Sequence, residues 1–339
     1  MKNVVQLHRK IVPELIAMVE DRYNILRHVK HDGPIGRRAL AQILEMGERT
    51  VRAQVDFLKN AGLLEFSPLG MTITGDGENL LDDLAEYVGE LHGLAMLEAE
   101  LANRLKLKQV IIIPGDSEAD ESIKRELGRA VINVLGTYIS ESMVIAVSGG
   151  STMAKVAEAV NFSVPTATVV PARGGLGEQL EYQANIIAAV MAAKLGGKYR
   201  LLHIPDGVSE EALEVILASD TNVDNVIDMI KHADILVHGI GRAYDMAIRR
   251  SSDAPIADKI VERGAVGEAL AHYCTLSGKC VYVTSSVGLR LDDLEGIGMV
   301  IAVAGGRNKA EAIIAVTSAG GQDVLVIDEA AARAVQAII

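Results

Sequence analysis

The chain has 339 residues, 49% of them hydrophobic, with 45 acidic against 33 basic side chains, a net charge of −12 and two cysteines. This length predicts one large domain plus a smaller one. The lack of an apolar run of about 18 residues, and of a basic start ahead of an apolar stretch, excludes a membrane partner and predicts a soluble, cytoplasmic protein. Cys274 and Cys280 lie without a CxxC partner, which excludes a disulfide framework and a zinc site; they read as reduced thiols, and no metal or cofactor is expected.

The charge is uneven. Residues 1–62 carry 11 Lys/Arg against 7 Asp/Glu, and the remainder 22 against 38, which predicts a basic head on an acidic body. In "HDGPIGRRALAQILEMGERTVRAQVDFLKNAGLL" two short amphipathic helices flank a tight turn at Gly47, and Gly62 stops the second. Ile35, Leu40, Ile43 and Leu44 mark the inner face of the first, and Val51, Val55, Phe57 and Leu58 that of the second. The spacing is that of a helix-turn-helix.

Glu48, Arg49, Thr50, Arg52 and Gln54 crowd the start of the second helix, the end that enters a major groove, where Arg and Gln read guanine and adenine edges. Arg37 and Arg38 are expected at phosphates. "LLEFSPLGMTIT" follows as a hairpin wing, so residues 1–75 are expected to form a winged helix-turn-helix bound to double-stranded DNA.

Residues 76–105 contain no proline, and Leu80, Leu84, Tyr87, Leu91 and Leu94 alternate at steps of four and three. That is a coiled-coil seam, spoiled where Glu98 takes an apolar position before Leu101 and Leu105 resume it. The stretch is either a dimerisation helix or a long helix lying on the body.

From 106 to 339 short apolar strands alternate with helical stretches. "QVIIIPGD", "MVIAVSGG", "ATVVPARGG", "YRLLHIPD", "DILVHGIG", "CVYVTSS", "MVIAVAGG" and "DVLVID" suit a parallel sheet covered on both faces, a doubly wound, Rossmann-like α/β domain. Ligands of such sheets sit at the carboxyl ends of the strands. There Gly149 and Gly150 let backbone approach an anion, Ser148, Ser151 and Thr152 offer hydroxyls, and a helix begins. Other strand ends add Arg173, Arg249, Arg250, Arg307 and Lys309, a set that suits a ligand with more than one phosphate. Glu178, Gln183 and Glu268 are polar groups of the kind that bond sugar hydroxyls.

The order "SGGST", "PARGGLGE", "QAN", "GIG…MA.RR", "GAVGEA", "SVGLRLDDL" and "AGG..KAEAI" behind a head containing "PIGRRALA" resembles the SorC/DeoR-type bacterial sugar-responsive regulators, over nearly the whole chain. The resemblance implies a repressor of genes for the triose-phosphate steps of glycolysis. It implies a body similar to glucosamine-6-phosphate deaminases and ribose-phosphate isomerases, with fructose 1,6-bisphosphate or another phosphosugar as effector. It further implies a homodimer that becomes a tetramer on its operator. By motif position the effector contacts are Gly149, Gly150, Ser151 and Thr152 at one phosphate, Arg173 and Gln183 alongside, and Arg249, Arg250, Glu268 and Lys309 completing the pocket. Two positions depart from the family pattern: Ser151 stands where Thr is expected, and "AHYC" follows "GAVGEAL" where a glycine and an aromatic pair are usual.

The competing reading is a sugar-phosphate isomerase or deaminase, which needs a general base against the sugar carbonyl. His203 and His238, followed by Asp206 and Asp245, stand at strand ends but form no recognised base motif, and an enzyme would leave the basic head unexplained. No catalytic residue is therefore expected.

Overall fold

The computed structural model describes residues 11–174, 179–204, 212, 215, 216, 221–251, 254–284 and 287–339, with the backbone alone at 13, 221, 222, 250, 251 and 254. Glu178 and Asp206 lie outside the described residues, as does the side chain of Arg250. The chain divides into two compact units, Met1–Leu97 and Glu98–Ile339, so the cut falls inside the 76–105 stretch.

The first unit carries helices α1 (Pro13–Asp32), α2 (Arg37–Ile43) and α3 (Glu48–Asn60), strands β1 (Leu64–Ser67) and β2 (Gly70–Ile73), and helix α4 (Gly75–His92). Its core joins Tyr23, Ile25 and Leu26 of α1 to Leu40, Val51, Val55, Leu58 and Met71, with Leu81 and Val88 of α4 in the same cluster. Two residues assigned to the inner faces are not enclosed: Ile43 and Phe57 are each 48% exposed. Phe57 falls off the stripe of Val51, Val55 and Leu58, and instead lies under the Arg22 guanidinium, 3.6 Å from ring centroid. Ile43 is the last residue of its helix, past the contact made by Leu40.

The single helix expected over 76–105 is two. Thr74 caps α4 by accepting from Gly77 N–H at 3.0 Å, and Gly93, at φ 71°, closes it in the left-handed region that favours glycine. Helix α5 (Leu94–Leu105) follows. Leu81, Val88 and, at the margin, Leu84 are engaged with the head core. Glu98, the residue that spoiled the seam, accepts from Ile112 N–H at 2.8 Å on an edge strand. Burial pushes its carboxyl pKa up, and that bond lowers it.

The second unit holds seven parallel strands in the order β3 (Gln109–Ile113), β13 (Val324–Asp328), β12 (Met299–Ala304), β7 (Ile235–Gly239), β4 (Val144–Val147), β5 (Thr168–Pro171), β6 (Lys198–Tyr199). Strand alternation splits the core. Ile145, Val147, Val237 and Val303 face Leu127, Met153 and Met191, while Ala146, Leu236 and Val300 face Val226 and Ile230. From β4 the chain winds outward to β6, then returns to β7 on the other side of β4. The topological switch point, where such sheets bind ligands, is therefore between β4 and β7.

Two strand expectations need correction. "CVYV" does not join the parallel sheet: β11 (Cys280–Val283) is the edge of a four-stranded antiparallel sheet with β10 (His272–Thr275), β9 (Ala265–Ala269) and β8 (Gly241–Arg242). A four-residue run of strand-favouring residues reads alike in either sheet type. Among the described residues of "YRLLHIPD" only Tyr199 is strand; Leu202 is held instead by both amide atoms of Asn185, at 3.0 and 3.1 Å.

Candidate functional site

Ser148, Gly149 and Gly150 link β4 to helix α7 (Ser151–Glu158) at the switch point. Ser148 is buried; its N–H donates to Val237 O at 3.0 Å and its hydroxyl accepts from Gly239 N–H at 3.0 Å, so one side chain ties β4 to β7. Gly150 N–H donates to Tyr182 O at 2.8 Å. A Cβ on Gly149 would stand 2.7 Å from that same oxygen, so glycine is needed for the segment bearing Gln183 to approach. Gly150 has φ 123°, and no described atom lies within 4 Å of where its Cβ would be. The first turn of α7 begins here, where a helix leaves its amides without an intrahelical partner and its dipole positive; Ser151 is half-buried and Thr152 buried.

Arg173, two residues past β5, is buried with Nη1 3.6 Å from Glu268 Oε1. Glu268 also accepts from Ala271 N–H at 2.7 Å, across a hairpin turn whose two residues, Leu270 and Ala271, have φ 48° and 68°. Turns of that kind usually take Asn-Gly; here the two residues are Leu-Ala. Gly241 pairs with Glu268 in the antiparallel sheet, and the preceding carbonyl, Ile240 O, accepts from Lys309 Nζ at 2.9 Å. Arg173, Glu268 and Lys309 are thus joined through residues 240 and 241.

Burial, with Lys124 and Arg249 nearby, pushes the Lys309 pKa down to about 8 against the pull of Asp328 and Asp245. Arg249 is exposed on helix α10 (Ala243–Ser251). Asp245 is bonded bidentately by Arg242 at 2.7 and 2.9 Å, which holds its carboxyl below the usual range. Arg307 is exposed.

Lys124 and Asp328 were missed from sequence. Lys124 gave no signal; it pairs at 2.7 Å with Glu121, the residue that precedes its helix (Ser122–Tyr138). Asp328 is fully buried, and its carboxylate accepts from Ser117 N–H at 2.9 Å, Gly306 N–H at 2.7 Å and Ala331 N–H at 2.8 Å. Burial lowers the pKa of His238, which is fully enclosed with Nδ1 3.1 Å from Gly239 O, while His203 is exposed. A buried neutral imidazole fixed on a backbone carbonyl is a poor general base.

In the first unit Arg38, Arg49, Thr50 and Arg52 are exposed at the start of α2 and α3. Arg37 is engaged within the head, with Nη2 2.6 Å from Asp56 Oδ1 and its guanidinium 5.0 Å over the Phe66 ring. Gln54 is half-buried and accepts from Arg22 Nε at 2.8 Å.

A helix-turn-helix head with a wing, and a doubly wound body with a glycine turn and cations at its switch point, define a ligand-responsive DNA-binding regulator. Residues 18–88 match the CggR N-terminal DNA binding domain, and residues 90–337 match the Sugar-bind family of sugar-binding domains. The chain belongs to the SorC-type family of sugar-binding transcriptional regulators. It is 40% identical over 336 residues to the central glycolytic genes regulator of Priestia megaterium, covering 98% of both chains, and 41% identical over 335 residues to that of Bacillus subtilis, again covering 98% of both. A SorC family transcriptional regulator structure from Enterococcus faecalis aligns with TM-score 0.66 and 37% identity over 71% of this chain and 99% of that one. These relatives are regulators of transcription, not enzymes, and the isomerase reading falls with them. Among the described residues no helix is long and apolar enough to cross a membrane.

Proposed function

We propose that this chain is a cytoplasmic repressor of glycolytic, triose-phosphate genes whose grip on its operator is modulated by fructose 1,6-bisphosphate or a related phosphosugar. The observation that carries the reading is the switch point of the body, where a glycine turn opens a helix start and cationic side chains gather at neighbouring strand ends. Two central glycolytic genes regulators that match along 98% of the chain support the choice of genes.

In this reading one phosphate lies against Gly149 and Gly150 and on the amides and hydroxyls of Ser151 and Thr152, where the helix dipole favours an anion. Arg173 and Gln183 stand alongside. Arg249, Arg250 and Lys309 take the second phosphate, and Glu268 accepts from sugar hydroxyls. Arg49, Thr50 and Arg52 read base edges and Arg38 holds phosphate; Arg37 and Gln54 join them by exchanging their partners within the head. The assembly is a homodimer in solution and a tetramer on DNA, with residues 1–75, 76–105 and 106–339 as head, linker and effector domain.

The test is a thermal-shift panel of phosphosugars with operator binding measured on the same protein. Ligand that binds only the native state raises the midpoint in proportion to the logarithm of its concentration over Kd. Fructose 1,6-bisphosphate is expected to give the largest shift and to alter duplex affinity; an equal shift with unphosphorylated fructose would reject the phosphate reading.

A further inference from the structure

The wing is unusual in what it lacks. Residues 64–73, LEFSPLGMTI, hold no Lys or Arg, and their one charge is Glu65. Such a wing can neither hold phosphates by charge nor insert an arginine into a narrow minor groove. What it offers is an apolar tip. Pro68 and Leu69 join the paired residues Ser67 and Gly70, and Leu69 is 80% exposed, where turns ordinarily take small polar residues.

The tip is also rigid. Proline fixes its own φ, and Ser67 Oγ accepts from Leu69 N–H and donates to Gly70 O, both at 3.2 Å. Gly70, at φ 138°, packs so closely that a Cβ there would stand 2.8 Å from Ile35 N, and Met71 pairs with Ile35 as an antiparallel bridge. The wing is thereby clamped to the residues that lead into α2. Between wing and α3 runs a cleft of about 500 Å³ whose lining includes Arg37, Arg38 and Arg52, one acidic side chain, Glu48, and Phe66 and Gly70 of the wing. With α3 in a major groove, a sugar-phosphate strand passing along the three arginines of this cleft would bring the tip over the adjacent minor groove.

We propose that Pro68 and Leu69 enter that minor groove as an apolar wedge, part a base step and bend the duplex. The head would then read deformability at a step that none of its hydrogen-bonding side chains touches. Apolar wedges act in this way in architectural proteins, at an unstacking cost of about a few kcal/mol per step.

The experiment uses the full chain and an end-labelled duplex, recovered from a random library by the chain itself, with end-to-end distance measured by energy transfer. The wild-type chain is expected to shorten that distance. Leu69→Ala should bind about tenfold more weakly and leave the duplex straight, with the slope of log affinity against log salt unchanged because no cation is lost. Leu69→Phe should keep the bend. Arg38→Ala should reduce the salt slope by about one and keep the bend. Since Leu69 buries almost nothing, the thermal midpoint of Leu69→Ala should match wild type, which separates the result from misfolding. An unchanged bend and affinity in Leu69→Ala would overturn the proposal. So would a Leu69→Ala change in sedimentation of the DNA-free chain, which would assign the tip to a second copy.

Discussion

The body uses nearly the same peptide twice: MVIAVSGGST at 143–152 and MVIAVAGGRN at 299–308. Both runs are central parallel strands ending in a Gly-Gly turn whose second glycine has positive φ, 123° at Gly150 and 100° at Gly306. In both the first glycine is closely packed, Gly149 against Tyr182 O, and the surroundings differ at the second. No described atom lies within 4 Å of a Cβ built on Gly150, whereas one on Gly305 would meet Ser117 and Asp328, and one on Gly306 would meet Glu118. The amide of Gly306 already donates to the buried Asp328 carboxylate at 2.7 Å. The Gly150 amide donates at 2.8 Å to a neutral peptide oxygen, Tyr182 O, so one turn meets an internal anion and the other an uncharged carbonyl. A glycine turn is thus a permission for anion binding, and the neighbours decide whether the protein fills it itself.

The sharpest way to break this contrast is to remove the internal anion. Asp328→Ala strips the acceptor from three buried amides and should lower stability by about 3–5 kcal/mol in urea titration, by the measure of other buried charged acceptors. A loss below about 1 kcal/mol would mean that water replaces the carboxylate and that the two turns are alike. The converse substitution adds an anion to the open turn. Ser151→Asp at the start of α7 should leave the midpoint unchanged or slightly raised, since an acidic residue suits a helix start, while phosphosugar affinity falls by about a hundredfold through like-charge repulsion. Retained affinity would remove the phosphate from this turn.

Smaller effects are expected at the far side of the pocket. Lys309→Met should weaken fructose 1,6-bisphosphate by about tenfold and a monophosphate by less, since one charge-assisted contact is lost; equal losses in titration calorimetry would misplace the second phosphate. The smallest effect is a pH dependence. With its pKa pushed down to about 8, Lys309 is charged below that pH and largely neutral above it. An anionic ligand favours the ammonium form, so above pH 8 binding must take up a proton and affinity should fall, by at most about tenfold per pH unit. Below pH 7 this contribution is flat, and in Lys309→Arg it should vanish across the range, because guanidinium stays charged.

Much of the plan was legible in the sequence because it is written in local patterns. Seven of the eight apolar runs contain real strands of four to six residues, and the glycine turn stands where strand-to-helix chemistry put it. What escaped was chemistry between distant residues. Asp328 serves amides at Ser117 and Gly306, and Asn185 replaces a strand partner for Leu202. Glu98 looked like a fault in a heptad because its partner, the edge amide of Ile112, lies in another element. Nor could Gln54 be known to be held by Arg22, 32 positions earlier. Periodicity reports which face is apolar, and says nothing of which backbone group a lone polar side chain will satisfy.

The most direct measurement is a crystal structure of the full chain grown with fructose 1,6-bisphosphate. A phosphate within hydrogen-bond reach of the Ser151 and Thr152 amides, with Asp328 still holding Gly306, is the predicted result. A phosphate seated at Gly305 and Gly306, with the 148–152 turn making no contact to ligand, would contradict it.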